Sequence, residues 1–187
     1  MSWGRRRWLL GAATLAGWGA FGLEVPAPVL VMRHAQTDPG VGDPPGFVLA
    51  RCETQRNLSE AGRAQAFAFG QALARRGWRP QTLRSSRWCR CLDSARLLAA
   101  GRGAPALTTQ TWPALDSFFD DREREGVQTA QLQERLLSLH AHPGAFELWV
   151  THQVNVTALV GLSIGMGQAL WLDRRADATL VVRPFEA

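Results

Sequence analysis

The 187-residue chain contains no lysine and no tyrosine, and all 21 of its basic side chains are arginine. This bias reflects genome composition more than mechanism. Its three cysteines include no Cys-x-x-Cys pair and its four histidines form no cluster, which argues against a zinc site. There are no internal repeats and no low-complexity tracts. The uncharged stretch near the amino terminus, Trp8 to Leu23, is short and glycine-rich beside the roughly 20 apolar residues that cross a bilayer. Acidic side chains number 16, so the formal balance is +5.

That excess is partly an address label. Arg5-Arg6-Arg7 precedes the apolar stretch, and Ala20 and Gly22 supply a small-residue exit, the layout of a secretory signal. The adjacent arginines before Trp8-Leu9-Leu10 also loosely match a twin-arginine export signal. Residues 1–23 are therefore expected to form a signal peptide, with a retained inner-membrane anchor over residues 8–23 as the alternative. Removing them takes three arginines and no acid, leaving 18 basic against 16 acidic groups, a balance of +2. Nucleic acid needs no invoking as a partner. Residues 24–187 are long enough for one domain with a full core.

An exported protein with three cysteines has room for one disulfide and one spare thiol. Cys89 and Cys91 stand two apart on an expected helix and point away from each other. Cys91 falls on the apolar face with Trp88, Leu92, Ala95, Leu98 and Ala99. Cys89 is then the better partner for Cys52, against an alternative in which all three remain thiols.

The run Pro28-Val29-Leu30-Val31-Met32 reads as a buried strand, and Arg33-His34 emerges at its carboxyl end, where open α/β sheets bind ligands. The pattern recurs at Phe146 to Thr151, which His152 follows at once. Between them, Ser85-Ser86-Arg87-Trp88-Cys89-Arg90 marks another strand-to-helix junction. Ser59 is expected to cap a helix running to about Arg76. Further helices are expected from about Thr129 to His140 and from Gln153 onward. Closing strands are expected at 168–172 and 178–183. The long Gly/Pro-rich loop from Asp38 to Asn57 begins beside His34, which favours a substrate-facing role. Alternating strands and helices predict a three-layer α/β/α sandwich on a mostly parallel sheet.

Arg33-His34, Leu58-Ser59-Glu60-Ala61-Gly62, the Ser85–Arg90 segment and His152 occur in an order that resembles the histidine phosphatase superfamily, the phosphoglycerate-mutase-like proteins. The resemblance runs from about Val29 to Arg183. It implies a phosphomonoester hydrolase working through a phosphohistidine, without metal or other cofactor. His34 would be the nucleophile, and Arg33, Arg90 and His152 would hold the phosphate, with arginine's planar fork suited to its oxygens. Thr37 would contact phosphate, and Gln153 would open a helix whose N–H groups help hold the anion. The resemblance places the proton donor near Asp116, with Asp120, Asp121 and Glu123 as competitors. Ala35 replaces the family's frequent glycine, and Gly167-Gln168 replaces Gly-Glu near the carboxyl end. His140 and His142 read as exposed residues near a helix end. A phosphorylated small molecule or envelope component is the expected substrate, by analogy with exported members of the family. The alternative is a catalytically silent module on the same fold that binds a phosphorylated ligand.

Overall fold

The computed structural model describes residues 27–40, 42–103, 107–139, 146–175, 177 and 179–186. The expected leader, residues 1–23, lies outside the described residues, as do His140 and His142. No helix among the described residues is long and apolar enough to cross a membrane.

Six strands form one sheet: β1 (Val29–Arg33), β2 (Pro80–Ser85), β3 (Thr109–Thr111), β4 (Phe146–Thr151), β5 (Ala169–Arg174) and β6 (Leu180–Pro184). Their order is β3-β2-β4-β1-β5-β6. The pairs β1–β4, β2–β4 and β2–β3 are parallel, whereas β5 runs antiparallel to both β1 and β6. The sheet is therefore mostly parallel, with one reversed strand. Four helices flank it: α1 (Glu60–Arg75), α2 (Cys89–Gly101), α3 (Glu125–Ser138) and α4 (Gln153–Val160).

Alternation along β1 explains the layers. Leu30 and Met32 pack with Phe69 and Leu73 of α1 and Cys91, Ala95 and Leu98 of α2. Val29 and Val31 point the other way, toward Leu132 and Leu136 of α3 and Val156 and Leu159 of α4. Both faces are covered, so β1 is apolar at four consecutive positions, as the centre of a three-layer sandwich requires.

The third helix begins four residues before its expected start. The acidic and basic run before it is a 3-10 turn at Arg122–Arg124 leading into α3, with Glu125 in the favourable first turn. Gln128 fixes that end by donating to the carbonyls of Pro113, Ala114 and Asp116. Glu147, a buried charge in β4, is met by Arg84, Arg135 and the Trp149 indole. These donors hold its carboxyl below the usual range although burial pushes it the other way.

Candidate active site

The carboxyl ends of β1, β2 and β4 open into a cleft of about 290 Å³ lined by Arg33, His34, Asp43, Arg56, Arg90, Asp120, His152 and Gln153, among others. The register that pairs Arg33 with Thr151 puts the residues after them, His34 and His152, side by side, with ring centroids 5.5 Å apart. Arg90 reaches the cleft from the first turn of α2, directly after β2.

The backbone around His34 is pinned from three sides. Ala35 N donates to Ser94 Oγ at 2.9 Å, and Gly167 N donates to the carbonyls of Arg33 and His34. Gly62, in the first turn of α1, passes so close to Gln36 that a Cβ there would stand 1.8 Å from the Gln36 carbonyl oxygen. This accounts for the glycine in Leu58–Gly62, and Ser59 caps α1 by accepting from Gly62 N. A rigid mount of this kind keeps the imidazole in one place.

His34 Nδ1 lies 2.8 Å from the Ala35 carbonyl. A carbonyl can only accept, so Nδ1 carries the proton and the lone pair is on Nε2. Burial, followed by the positive charges of Arg90, Arg33 and Arg56, pushes its pKa down to about 3 against the opposing bond to Ala35. His34 is thus a neutral imidazole with a free Nε2. The unfolded chain takes up a proton on this group below its ordinary pKa of 6.5, whereas the folded one does not until about 3. Folding stability is therefore complete above that window and falls as pH drops through it, by about 1.4 kcal/mol per pH unit for each such histidine. Urea midpoints measured at pH 7 and pH 5 should show the loss, and His34→Ala should lessen it. An identical pH dependence in wild type and variant would refute this charge assignment.

Three guanidinium groups converge on the cleft, and the Nε atoms of Arg33, Arg56 and Arg90 are buried without a hydrogen-bond partner among the described residues. Arg33 is steered by the Ile164 carbonyl at 2.9 Å and Gln153 Oε1 at 3.2 Å. Arg90 is held by Asp43 at 2.7 Å. Asp43 also accepts from Arg56 N and the Trp88 indole. Burial would raise the Asp43 carboxyl, but Arg90 and these donors outweigh it and keep the group ionised. Three cations on the cleft wall, Arg90 buried and Arg33 and Arg56 half-buried, each turned by a carbonyl or carboxylate anchor, form a receptor for a polyanion.

The structure brings Arg33, His34, Arg90, His152 and Gln153 together at the cleft. Thr37 is buried beside it, with its hydroxyl 3.6 Å from Met166 Sδ, and does not line it. Asp116 does not face the cleft either. Its carboxylate is fully buried and takes hydrogen bonds from Arg87 N at 2.9 Å, Arg87 Nε at 2.7 Å and Ser86 Oγ at 3.2 Å. The expectation of a proton donor at Asp116 fails on this geometry, because its buried carboxylate is drawn into an ion pair with Arg87. Of its expected competitors, Asp120 lines the cleft and Asp121 and Glu123 do not.

Sequence reasoning missed Asp43 and Arg56, which sit in the long loop where no periodicity marks them. Their placement depends on a disulfide between Cys52 and Cys89, which ties the loop to the start of α2 beside Arg90. Cys91 is a buried thiol whose pKa burial pushes up to about 12. The bridge spans 37 residues, a closure worth about 3–4 kcal/mol in the chain-entropy account. Cys52→Ser should lower stability by an amount of that order and raise KM more than it lowers kcat. Unchanged KM would mean that the loop holds Arg56 in place without the bridge.

Residues 29–146 match the histidine phosphatase superfamily (branch 1). The chain belongs to that family. Its fold is similar to that of the protein histidine phosphatase SixA complexed with tungstate, at 15% identity and TM-score 0.60 over 83% of this chain and 93% of that one. It is also similar to a mycobacterial glucosyl-3-phosphoglycerate phosphatase, at 18% identity and TM-score 0.59 over 84% and 96%. Bacillus stearothermophilus YhfR matches at 16% identity and TM-score 0.56 over 83% and 95%. No curated protein sequence matches the chain significantly.

Proposed function

We propose that this protein is a metal-independent phosphomonoester hydrolase working through a phosphohistidine on His34. The observation that carries the proposal is a neutral imidazole, with Nδ1 spent on Ala35, in a cleft lined by the three arginines Arg33, Arg56 and Arg90. His34 Nε2 attacks phosphorus, the Nε2–P bond forms, and the bond to the leaving oxygen breaks. Arg33, Arg56, Arg90 and His152 take the phosphoryl oxygens, and the first N–H groups of α4, at Gln153 and Val154, add partial positive charge. Water then attacks the same phosphorus as the Nε2–P bond breaks, its proton passes to the Asp120 carboxylate left ionised by the first step, and phosphate and neutral His34 are released.

An alkoxide leaving group needs a proton, and Asp120 is the exposed carboxylate on the cleft wall beside Ser117 and Phe119. Asp120→Asn is expected to slow alkyl phosphate hydrolysis by roughly 10²-fold or more while sparing much of the aryl phosphate activity. Equal effects on both substrates would remove Asp120 from this role.

A disulfide beside the phosphate pocket supports a working place in an oxidising compartment, in line with the leader read at residues 1–23. The substrate proposed is a phosphorylated small molecule or envelope component. Purified protein assayed against a panel of phosphomonoesters, with and without EDTA, tests the proposal. Turnover that survives EDTA supports it. Phosphate binding without turnover of any ester would instead favour the silent binding module.

A further inference from the structure

Building on the phosphatase reading, we infer that Asp116 acts through the Ser86 hydroxyl to hold His152 with its proton on Nε2, so that Nδ1 meets the phosphate as a base. Asp116 and Ser86 are then positioning residues, and His152 becomes a cation only when the anion is bound.

Ser86 Oγ has one proton to give and two lone pairs. Its neighbours are Asp116 Oδ1 at 3.2 Å, His152 Nε2 at 2.8 Å and Trp88 N, a pure donor, at 3.3 Å. Every other group on the Asp116 carboxylate is an N–H donor: Arg87 N, the Arg87 guanidinium and, at 3.7 Å, Arg124 Nη2. The carboxylate is therefore an acceptor, and the stronger of the two competing for the Ser86 proton. If Ser86 gave its proton to His152 instead, its oxygen would face Asp116 acceptor to acceptor at a site closed to water. With the Ser86 hydroxyl proton directed at the Asp116 carboxylate, the Ser86 oxygen receives Trp88 N–H and His152 Nε2–H.

Cys91 fits the same arrangement. Its thiol lies 3.6 Å from the Thr151 carbonyl, which can only accept, and 3.4 Å from His152 Nε2. A thiol proton directed at Thr151 leaves sulfur as a weak acceptor toward Nε2–H.

The consequence lies in the charge of the occupied site. Facing His152 are Arg33 and His34 from β1, Arg56 from the loop, Arg90 and Cys91 from α2, and Asp116 behind Ser86. Burial, then Arg90, His34, Arg33 and Arg56, holds the ring well below its ordinary pKa. It is neutral while the cleft holds no anion. A phosphate dianion reverses the local balance, and a proton taken up on Nδ1 gives a cation that Ser86 and Asp116 stabilise from the far side. That proton is then available for return as the product leaves.

Two measurements test the inference. Nitrogen-15 NMR of the histidine rings in unmutated protein should find His152 protonated on Nε2, and a proton on Nδ1 would overturn the inference. Calorimetric binding of inorganic phosphate at pH 8, in buffers of different ionisation enthalpy, should show uptake of roughly one proton per phosphate. Ser86→Ala and Asp116→Asn should reduce that count by half or more. Equal counts in all three proteins, or none in wild type, would contradict it. Because the NMR result needs neither a variant nor turnover, it stands apart from any failure of the phosphatase reading, which would appear as absent hydrolysis.

Discussion

His34→Ala is expected to lower kcat/KM by at least about 10⁴-fold, the scale on which enzymes lose rate when a covalent nucleophile is removed. The three cleft arginines remain in that variant, so inorganic phosphate should still bind with an affinity within about 10-fold of wild type. The split between lost turnover and kept binding separates a nucleophile from a pocket wall. It also separates an enzyme from a binding module, for which His34 would be one contact among several. Turnover near the wild-type level would end the phosphohistidine reading.

Arg90→Lys should reduce turnover by roughly 10²-fold or more, because lysine keeps the charge and loses the planar fork. Arg90 is almost wholly buried, and its Nη1 is committed to Asp43, leaving Nε unfilled. A lysine can still pair with Asp43, so the fold should tolerate the change while the grip on the equatorial oxygens is lost. Thermal unfolding and phosphate affinity measured on the same preparation distinguish these two effects. A variant with normal turnover would mean that Arg33 and Arg56 suffice and that Arg90 serves only to anchor Asp43.

Much of this site was legible because it hangs on strand ends. Apolar runs locate β1 and β4, and the residue after each run must project from the same edge of the sheet, so His34 and His152 could be matched before any coordinates. The helix cap at Ser59 carries an equally local signal, a side chain that accepts from the first turn, whereas the approach of Gly62 to Gln36 shows only in the fold. The pairing of Cys52 with Cys89 rather than Cys91 followed from helical phase, since Cys91 shares its face with Ala95 and Leu98.

What was hidden depends on contacts distant in sequence. Arg56 and Asp43 lie in a loop with no period, and only the disulfide and the Asp43–Arg90 pair bring them to the cleft. Asp116 was misplaced for a related reason. Its position after the third strand is right for a donor, but its carboxylate turns to Arg87, whose side chain leaves the cleft while that of Arg90 enters it. The reversed direction of β5 was equally invisible, because a buried strand reads the same from either end.

The central claim is a covalent bond between phosphorus and His34 Nε2, and rapid quenching tests it directly. Wild-type protein mixed with an aryl phosphate and quenched in base should carry phosphate on the peptide containing His34. That phosphate should be lost on brief acid treatment, as expected of a phosphoramidate, and should be absent from His34→Ala. An acid-stable phosphoenzyme, or one mapped to a serine or to His152, would contradict the account.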